Sequence, residues 1–287
     1  MSPGRRQDER RERDAGFRVV EPAGATSPVI VEVPHAGLRV DAPALASLAA
    51  PASCLATDAD LYVDELYRDA PSVGAAMLVG EMSRYVVDLN RGPRDVDAGS
   101  VVGGPRPMRA PRGLVWRLTS DGQPALHAPL SQDELSRRVD RYYAPYHAAL
   151  TRLIDDRVER FGYAVVLAGH SMPSVGRKAH PDTATHRADV VPGTRGRTSA
   201  AAPFIDAVDA AARAAGLSVA HDDPYQGGFT TSHYGRPFAH VHVVQIELAR
   251  RLYMDERALT PNESFERTRA SCIAFVEALV RARPPRG

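Results

Sequence analysis

The sequence predicts an α/β fold: a central mixed, largely parallel sheet flanked by helices. Three observations predict it. Short apolar runs rich in Val and Ile recur along the chain, helical patterns separate most of them, and Gly, Pro or Asn bounds most of the runs. With 287 residues, 44% of them hydrophobic, the chain can bury one sizeable core. The expectation is a single domain over residues 16–283, with a disordered charged tail at 1–15 and a flexible end at 284–287.

The first strand-like run, VIVEV (29–33), stops at Pro34-His35 and breaks into Ala36-Gly37. Next, TDADLYVDELY offers Thr57 or Asp58 as a helix cap, with Tyr62, Val63, Leu66 and Tyr67 facing a core and Asp60 and Asp64 one turn apart. AMLVGEM (76–82) and YVVDL (85–89) read as strands, the second ending on Asp88, Asn90 and Arg91. A Gly- and Pro-rich stretch, 91–129, reads as a long loop of the kind that lines a site. Ser131 and Glu134 then form a capping box that opens a helix running towards Gly162.

YAVVLAG (163–169) repeats the opening pattern and ends on His170. After a second long loop, 172–202, come the helical APFIDAVDAAARAAG, the strand LSVAH (217–221) and the Gly-Gly loop DDPYQGGFTTSHYGRP. The strand HVHVVQIEL (240–248) and a terminal helix, ESFERTRASCIAFVEALVRAR, complete the chain. Sheets of this class place ligands beyond the carboxyl ends of their strands, where His35 and His170 fall.

Composition excludes several classes of function. The 36 Lys+Arg against 35 Asp+Glu leave no basic field for nucleic acid, so the expected partner is small. Cys54 and Cys272 match no Cys-x-x-Cys spacing and read as ordinary thiols in a reducing compartment. The front segment has no apolar stretch, which predicts no secretory signal, and no run is long enough for a bilayer. The expectation is a cytoplasmic protein without a membrane partner.

The chemistry-bearing residues point to a metal. A catalytic zinc takes three protein ligands and keeps an open position. His35 and His170 are the first two candidates, and Asp60 is the expected third, with Asp58 and Asp64 as rivals. His240 and His242 rank below these. Asn90 with Arg91 suits a carboxylate, since a guanidinium fork matches two oxygens. Glu247 sits in an apolar strand; a desolvated carboxylate gains proton affinity, which suits a general base. The competing role for Glu247 is an ion pair with Arg250 or Arg251.

In order along the chain, VPHAG, DADLYVDELY, RYVVDLNR, GHSMPS, GTRGRTSA, PYQGGFTTSHYGRP and QIELARRLYMDE resemble the N-formylglutamate amidohydrolase (N-formylglutamate deformylase) family. The resemblance implies a zinc carboxypeptidase/phosphorylase-hydrolase-like fold and hydrolysis of N-formyl-L-glutamate to formate and L-glutamate with a divalent metal, Zn2+ first among them. It implies that His35 and His170 are ligands with an acid of the 58–64 cluster, that Glu247 is the catalytic carboxylate, and that Asn90-Arg91 holds the substrate carboxylate; Arg195 of the GTRGRTSA loop is the further residue expected to hold the glutamate carboxylates. Histidine degradation is the pathway it suggests. Two departures, Leu61-Tyr62 where Trp-His is usual and a basic loop with Arg177, Lys178 and His180, leave a related N-acyl amino acid as an alternative substrate. A zinc peptidase or peptidoglycan amidase and a non-catalytic binding member are the other readings. A serine hydrolase is disfavoured, because no Gly-x-Ser-x-Gly elbow occurs.

Overall fold

A computed structural model describes residues 12–106, 112–177 and 182–285. Residues 1–11 of the expected tail, Lys178 and His180 of the basic loop, and residues 286 and 287 lie outside the described residues. Residues 12–14 are helical, and Glu12 accepts the Val19 N–H at 3.2 Å.

Six strands form one sheet: β1 (Phe17–Val20), β2 (Val29–Val33), β3 (Ala76–Gly80), β4 (Ala164–Met172), β5 (Val190–Gly193) and β6 (Val241–Ala249), in the order β1-β3-β2-β4-β6-β5. β4 runs parallel to both β2 and β6, whereas β5 lies antiparallel to β6. The sheet is therefore mixed and mostly parallel, as the alternation of strands and helices requires. β2 and β4 are buried at every residue, the signature of strands covered on both faces. β7 (Met254–Asp255) and β8 (Thr260–Pro261) form a separate small ribbon.

The chain groups into two compact units that alternate along the sequence. One takes the residues up to Val19, Pro34–Leu61 and Val79–Leu150. Its core gathers Leu48, Tyr85, Val115, Trp116, Ala125, Leu126 and Leu130. Helix α1 (Ala42–Ser47) is capped by Asp41, which accepts the Ala44 N–H. α2 (Ala52–Thr57) follows. Further on, α4 (Gln132–Arg138) starts on Ser131, whose hydroxyl accepts the Glu134 N–H at 3.1 Å. The expected long helix is continuous but passes through a π turn at Val139–Tyr143 before α5 (Ala144–Phe161). Pro145 has no amide hydrogen, so a regular bond back to residue 141 cannot form there.

YVVDL is not a strand. Arg138, fully buried, donates to the Tyr85 and Val86 carbonyls, and the Asp88 N–H goes to the Leu114 carbonyl. The backbone groups of this apolar segment are thus satisfied by a side chain and a loop in place of a ladder.

The other unit takes Val20–Val33, Tyr62–Leu78 and the chain from Thr151 onward, and it carries most of the sheet. α6 (Ala202–Ala214) buries Phe204, Ile205, Val208 and Ala212, and α8 (Phe265–Arg281) buries Cys272, Phe275, Val276 and Leu279. Both sets recur at helical spacing, and the two helices pack on each other. Each large apolar side chain so buried contributes about 1.5–3 kcal/mol. The helix expected over DLYVDELYRDA shrinks to α3 (Val63–Leu66), because Tyr62 turns left-handed at φ 66°. LSVAH makes only an isolated bridge, Val219 to Val190. α7 (Phe229–Tyr234) is a short helix after the Gly-Gly loop.

Candidate active site

β2 ends two residues before His35, and Pro34 carries the chain off the sheet. The imidazole is 1% exposed, with a carboxylate near each edge. Its Nε2 lies 2.7 Å from Asp88 Oδ1, and its Nδ1 lies 3.5 Å from Asp60 Oδ2. The Asp60 N–H also donates to the His35 carbonyl at 3.0 Å, so the two residues are tied through backbone as well.

Asp88 accepts from a full set of donors. The Asn90 N–H reaches Oδ1 at 2.9 Å, while Trp116 Nε1 (2.9 Å) and Arg84 (3.1 Å) reach Oδ2. Burial alone would raise its pKa, but the charges of His35, Arg84 and Arg91 outweigh burial and hold the carboxyl well below the usual range. The Asp88 carboxylate takes the Nε2 edge of His35, which leaves Nδ1 as the edge that faces Asp60. The three acids of the 58–64 cluster are not equivalent. Asp58 is engaged by Tyr85 Oη at 2.5 Å and the Ser120 N–H at 3.0 Å, both on Oδ2, whereas Asp64 belongs to α3.

β4 continues through His170 to Met172 and does not stop at the histidine as expected. Gly169 is required just before it, since a Cβ there would lie 2.8 Å from the Tyr67 ring. In the parallel register His170 pairs with Glu247 and Ala168 with Gln245, so the four share one face of the sheet. Glu32 of β2 pairs with Ala168 and joins that face, where Thr230 donates to it at 3.2 Å. Glu247 is 7% exposed and accepts from Gln245 Nε2 at 3.0 Å. Its charge, after burial, helps raise the pKa of Tyr225. The arginines weighed as its ion partners have other bonds: Arg251 pairs with Asp189 at 2.8 Å, and Arg250 Nε donates to Ser171 Oγ at 3.2 Å.

His35 Nδ1 and Asp60 Oδ2 offer an imidazole nitrogen and a carboxylate oxygen, donors that suit a divalent ion such as zinc, and Asp88 holds the far edge of the His35 ring as the outer-shell carboxylate of a ligating histidine does. A family model described as N-formylglutamate amidohydrolase matches residues 27–254. The chain belongs to that family.

Characterised relatives agree with the N-formylglutamate amidohydrolase assignment. The chain is 35% identical over 237 residues to an N-formylglutamate deformylase of Pseudomonas aeruginosa, covering 80% of this chain and 84% of the relative. To the deformylase of Pseudomonas putida it is 33% identical over 236 residues, covering 80% and 82%. A crystal structure of N-formylglutamate amidohydrolase from Ralstonia eutropha superposes with a TM-score of 0.83 at 32% identity, over 92% of this chain and 96% of that one.

The expected substrate residues of this amidohydrolase-family chain are set differently from one another. Arg91 donates from Nε to the Arg112 carbonyl (2.9 Å) and from Nη1 to the Asn90 carbonyl (3.0 Å), which orients its guanidinium. Asn90 is 4% exposed. Arg195 lies on an exposed turn in which Arg195, Gly196 and Arg197 are all left-handed, at φ 53°, 69° and 64°. The N–H groups of Thr194, Arg195 and Gly196 converge on the Asp222 carboxylate at 2.6–3.0 Å. The two lower-ranked histidines lie away from this chemistry. His242 is buried against Phe204 with ring centroids 4.6 Å apart, and His240 caps a short 3-10 turn at φ 61°.

Sequence reasoning named Asp88 only as the end of a strand and did not single out Arg84, Trp116 or Gln245. The signal available for Asp88 was an acid two residues before Asn90-Arg91; Arg84, four before Asp88, and Gln245, two before Glu247, lay within the reach of spacing, whereas Trp116 carries no signal because it meets Asp88 from 28 residues away.

Proposed function

We propose that the chain hydrolyses the amide bond of N-formyl-L-glutamate, giving formate and L-glutamate in the cytoplasm, with a divalent metal, Zn2+, held by His35, Asp60 and His170. The observations that support this most are the buried His35–Asp60 pair, 3.5 Å apart, and the β4–β6 register that sets His170 beside a buried carboxylate, Glu247. A metal in that donor set supplies Lewis acidity, polarising a carbonyl and acidifying water.

The chain's own residues do the rest. Glu247 accepts a proton from the attacking water as the oxygen bonds to the formyl carbon, and it returns that proton to the departing amine nitrogen. Asp88 keeps His35 in the tautomer that presents Nδ1. Arg91, its Nε and Nη1 already anchored on carbonyls, offers the remaining edge to the substrate α-carboxylate beside Asn90. Arg195 reads the side-chain carboxylate, which is what distinguishes glutamate from an uncharged N-formyl amino acid.

Formate release tests this reading. Purified protein is assayed with N-formyl-L-glutamate before and after chelation and after zinc is restored, with N-formyl-L-aspartate and N-acetyl-L-glutamate alongside. Turnover that vanishes with chelator and returns with zinc is the expected result. A protein that binds no metal, or one that binds metal and hydrolyses none of the three, rejects the metal centre or the substrate respectively.

A further inference from the structure

We infer that Gln245 is a positioning residue for the reaction: its side-chain amide holds the Glu247 carboxylate, and the loop before α7 holds the amide. The inference rests on the proposed role of Glu247 as the base and adds the device that aims it.

Gln245 and Glu247 are two apart on β6, so both side chains leave the same face of the sheet. Gln245 is 3% exposed and spans two bonds. Its Nε2 donates to Glu247 Oε1 at 3.0 Å, and its Oε1 accepts the Gly228 N–H at 3.1 Å. The second bond fixes the first. A backbone N–H can only donate, so the amide oxygen must face Gly228, and the NH2 must then face Glu247.

The local backbone is built to deliver that N–H. Gly193 is the β5 register partner of Gln245, and a Cβ at Gly193 would meet Gly227 N at 2.9 Å and the Tyr225 carbonyl at 3.0 Å. The segment 225–228 therefore lies directly over the strand. Gly227, at φ 106°, takes a conformation that only glycine adopts without strain, immediately before the donating N–H. The amide so held gives Glu247 Oε1 a fixed donor, the orientation that a base working on a bound water needs.

Two roles compete for Gln245, and they respond oppositely to one substitution. If its work is to anchor the loop, Gln245→Glu keeps the acceptor for Gly228 and is nearly silent. If its work is to hold Glu247, Gln245→Glu replaces the donor with a repelling charge and is at least as damaging as Gln245→Met. The experiment measures kcat and KM for formate release with the full chain bearing Gln245→Met, Gln245→Glu, Glu247→Gln, and Gln245→Met combined with Glu247→Gln. Bound metal and thermal unfolding are recorded for each.

The expected result is a kcat loss of roughly 10- to 100-fold in Gln245→Met, the size of a hydrogen bond to a charged group, with KM within about twofold and metal unchanged. Gln245→Glu loses at least as much, and Gln245→Met adds no further loss on the Glu247→Gln background. Near wild-type kcat in Gln245→Glu overturns the inference, as does an equal loss from Gln245→Met on both backgrounds. Full activity in Glu247→Gln is a different failure: it removes the base itself and with it the proposed function's account of proton transfer.

Discussion

Asp88 takes the Nε2 edge of His35 at 2.7 Å, and that bond leaves Nδ1 as the edge that meets Asp60. Asp88→Asn tests the consequence. An amide cannot accept from His35, Asn90, Trp116 and Arg84 together, so at least one buried donor loses its partner, at a cost of about 1–3 kcal/mol. We expect a lower melting temperature and a zinc affinity reduced about 10- to 100-fold, read by competition with a metal buffer. Unchanged zinc affinity would deny Asp88 its orienting role.

Glu247→Gln preserves the shape of the side chain and removes its basicity. The expected loss in kcat is about 10²- to 10⁴-fold, with zinc still bound in stoichiometric amount. Single-turnover formate release reads the chemical step directly.

Asp60, the acid favoured from sequence, and its rival Asp58 separate by substitution. Asp58→Asn disturbs the bonds to Tyr85 and Ser120 and is expected to cost about 1–3 kcal/mol of stability while leaving zinc in place. Asp60→Asn should do the reverse, folding well and losing most of its zinc. Metal analysis beside urea unfolding of both variants gives the answer, and retention of zinc by Asp60→Asn would exclude it as a ligand.

Arg91 and Arg195 are expected to govern different carboxylates. Arg91→Lys loses the planar fork and should raise KM roughly 10- to 100-fold for every N-formyl amino acid. Arg195→Ala should raise KM for N-formyl-L-glutamate while leaving N-formyl-L-alanine unaffected. Equal effects of Arg195→Ala on both substrates would show that it does not read the side chain.

His242 makes stability depend on pH. Burial, then the neighbouring His240, pushes its pKa down to about 4, below the ordinary value of 6.5. Between those values the unfolded chain binds a proton that the folded chain excludes, so stability falls as pH drops through that window, by about 1.4 kcal/mol for each pH unit at most. His242→Phe, packed on Phe204, removes this contribution. Urea unfolding at pH 7.5 and 4.5 should show a smaller acid loss in the variant than in the parent chain.

The backbone of the fold was legible where burial on both faces left its mark. VIVEV, AMLVG and the run into His170 are buried at every position and apolar at nearly all of them, and each is a strand. YVVDL carries the same mark and is a loop, because apolar composition reports burial and not the ladder; Arg138, half a hundred residues downstream, supplies the partners that a neighbouring strand would have. β5, a four-residue VVPG, was hidden by its Pro and Gly, which its edge position tolerates. At the site, His35 and His170 were legible because each comes at the end of an apolar run, although β4 itself continues past His170 to Met172. The choice of Asp60 over Asp58 was not, since it depends on Tyr85 and Ser120 claiming Asp58, and no spacing records that claim.

The turn at Arg195 separates scaffold from the proposed reader. Asp222 already occupies the concavity formed by three backbone N–H groups, so an incoming anion meets the side chains and not the main chain. The left-handed backbone at residue 195 is upheld by that internal carboxylate whichever side chain projects from it. On the proposed role of Arg195, single exchanges at position 195 are expected to retune substrate range, with Gly and Asn the easiest to accommodate at a φ of 53° and no rebuilding of the loop needed. A saturation library at that one codon, screened on acidic, neutral and basic N-formyl amino acids, would sample new specificities on an unaltered frame.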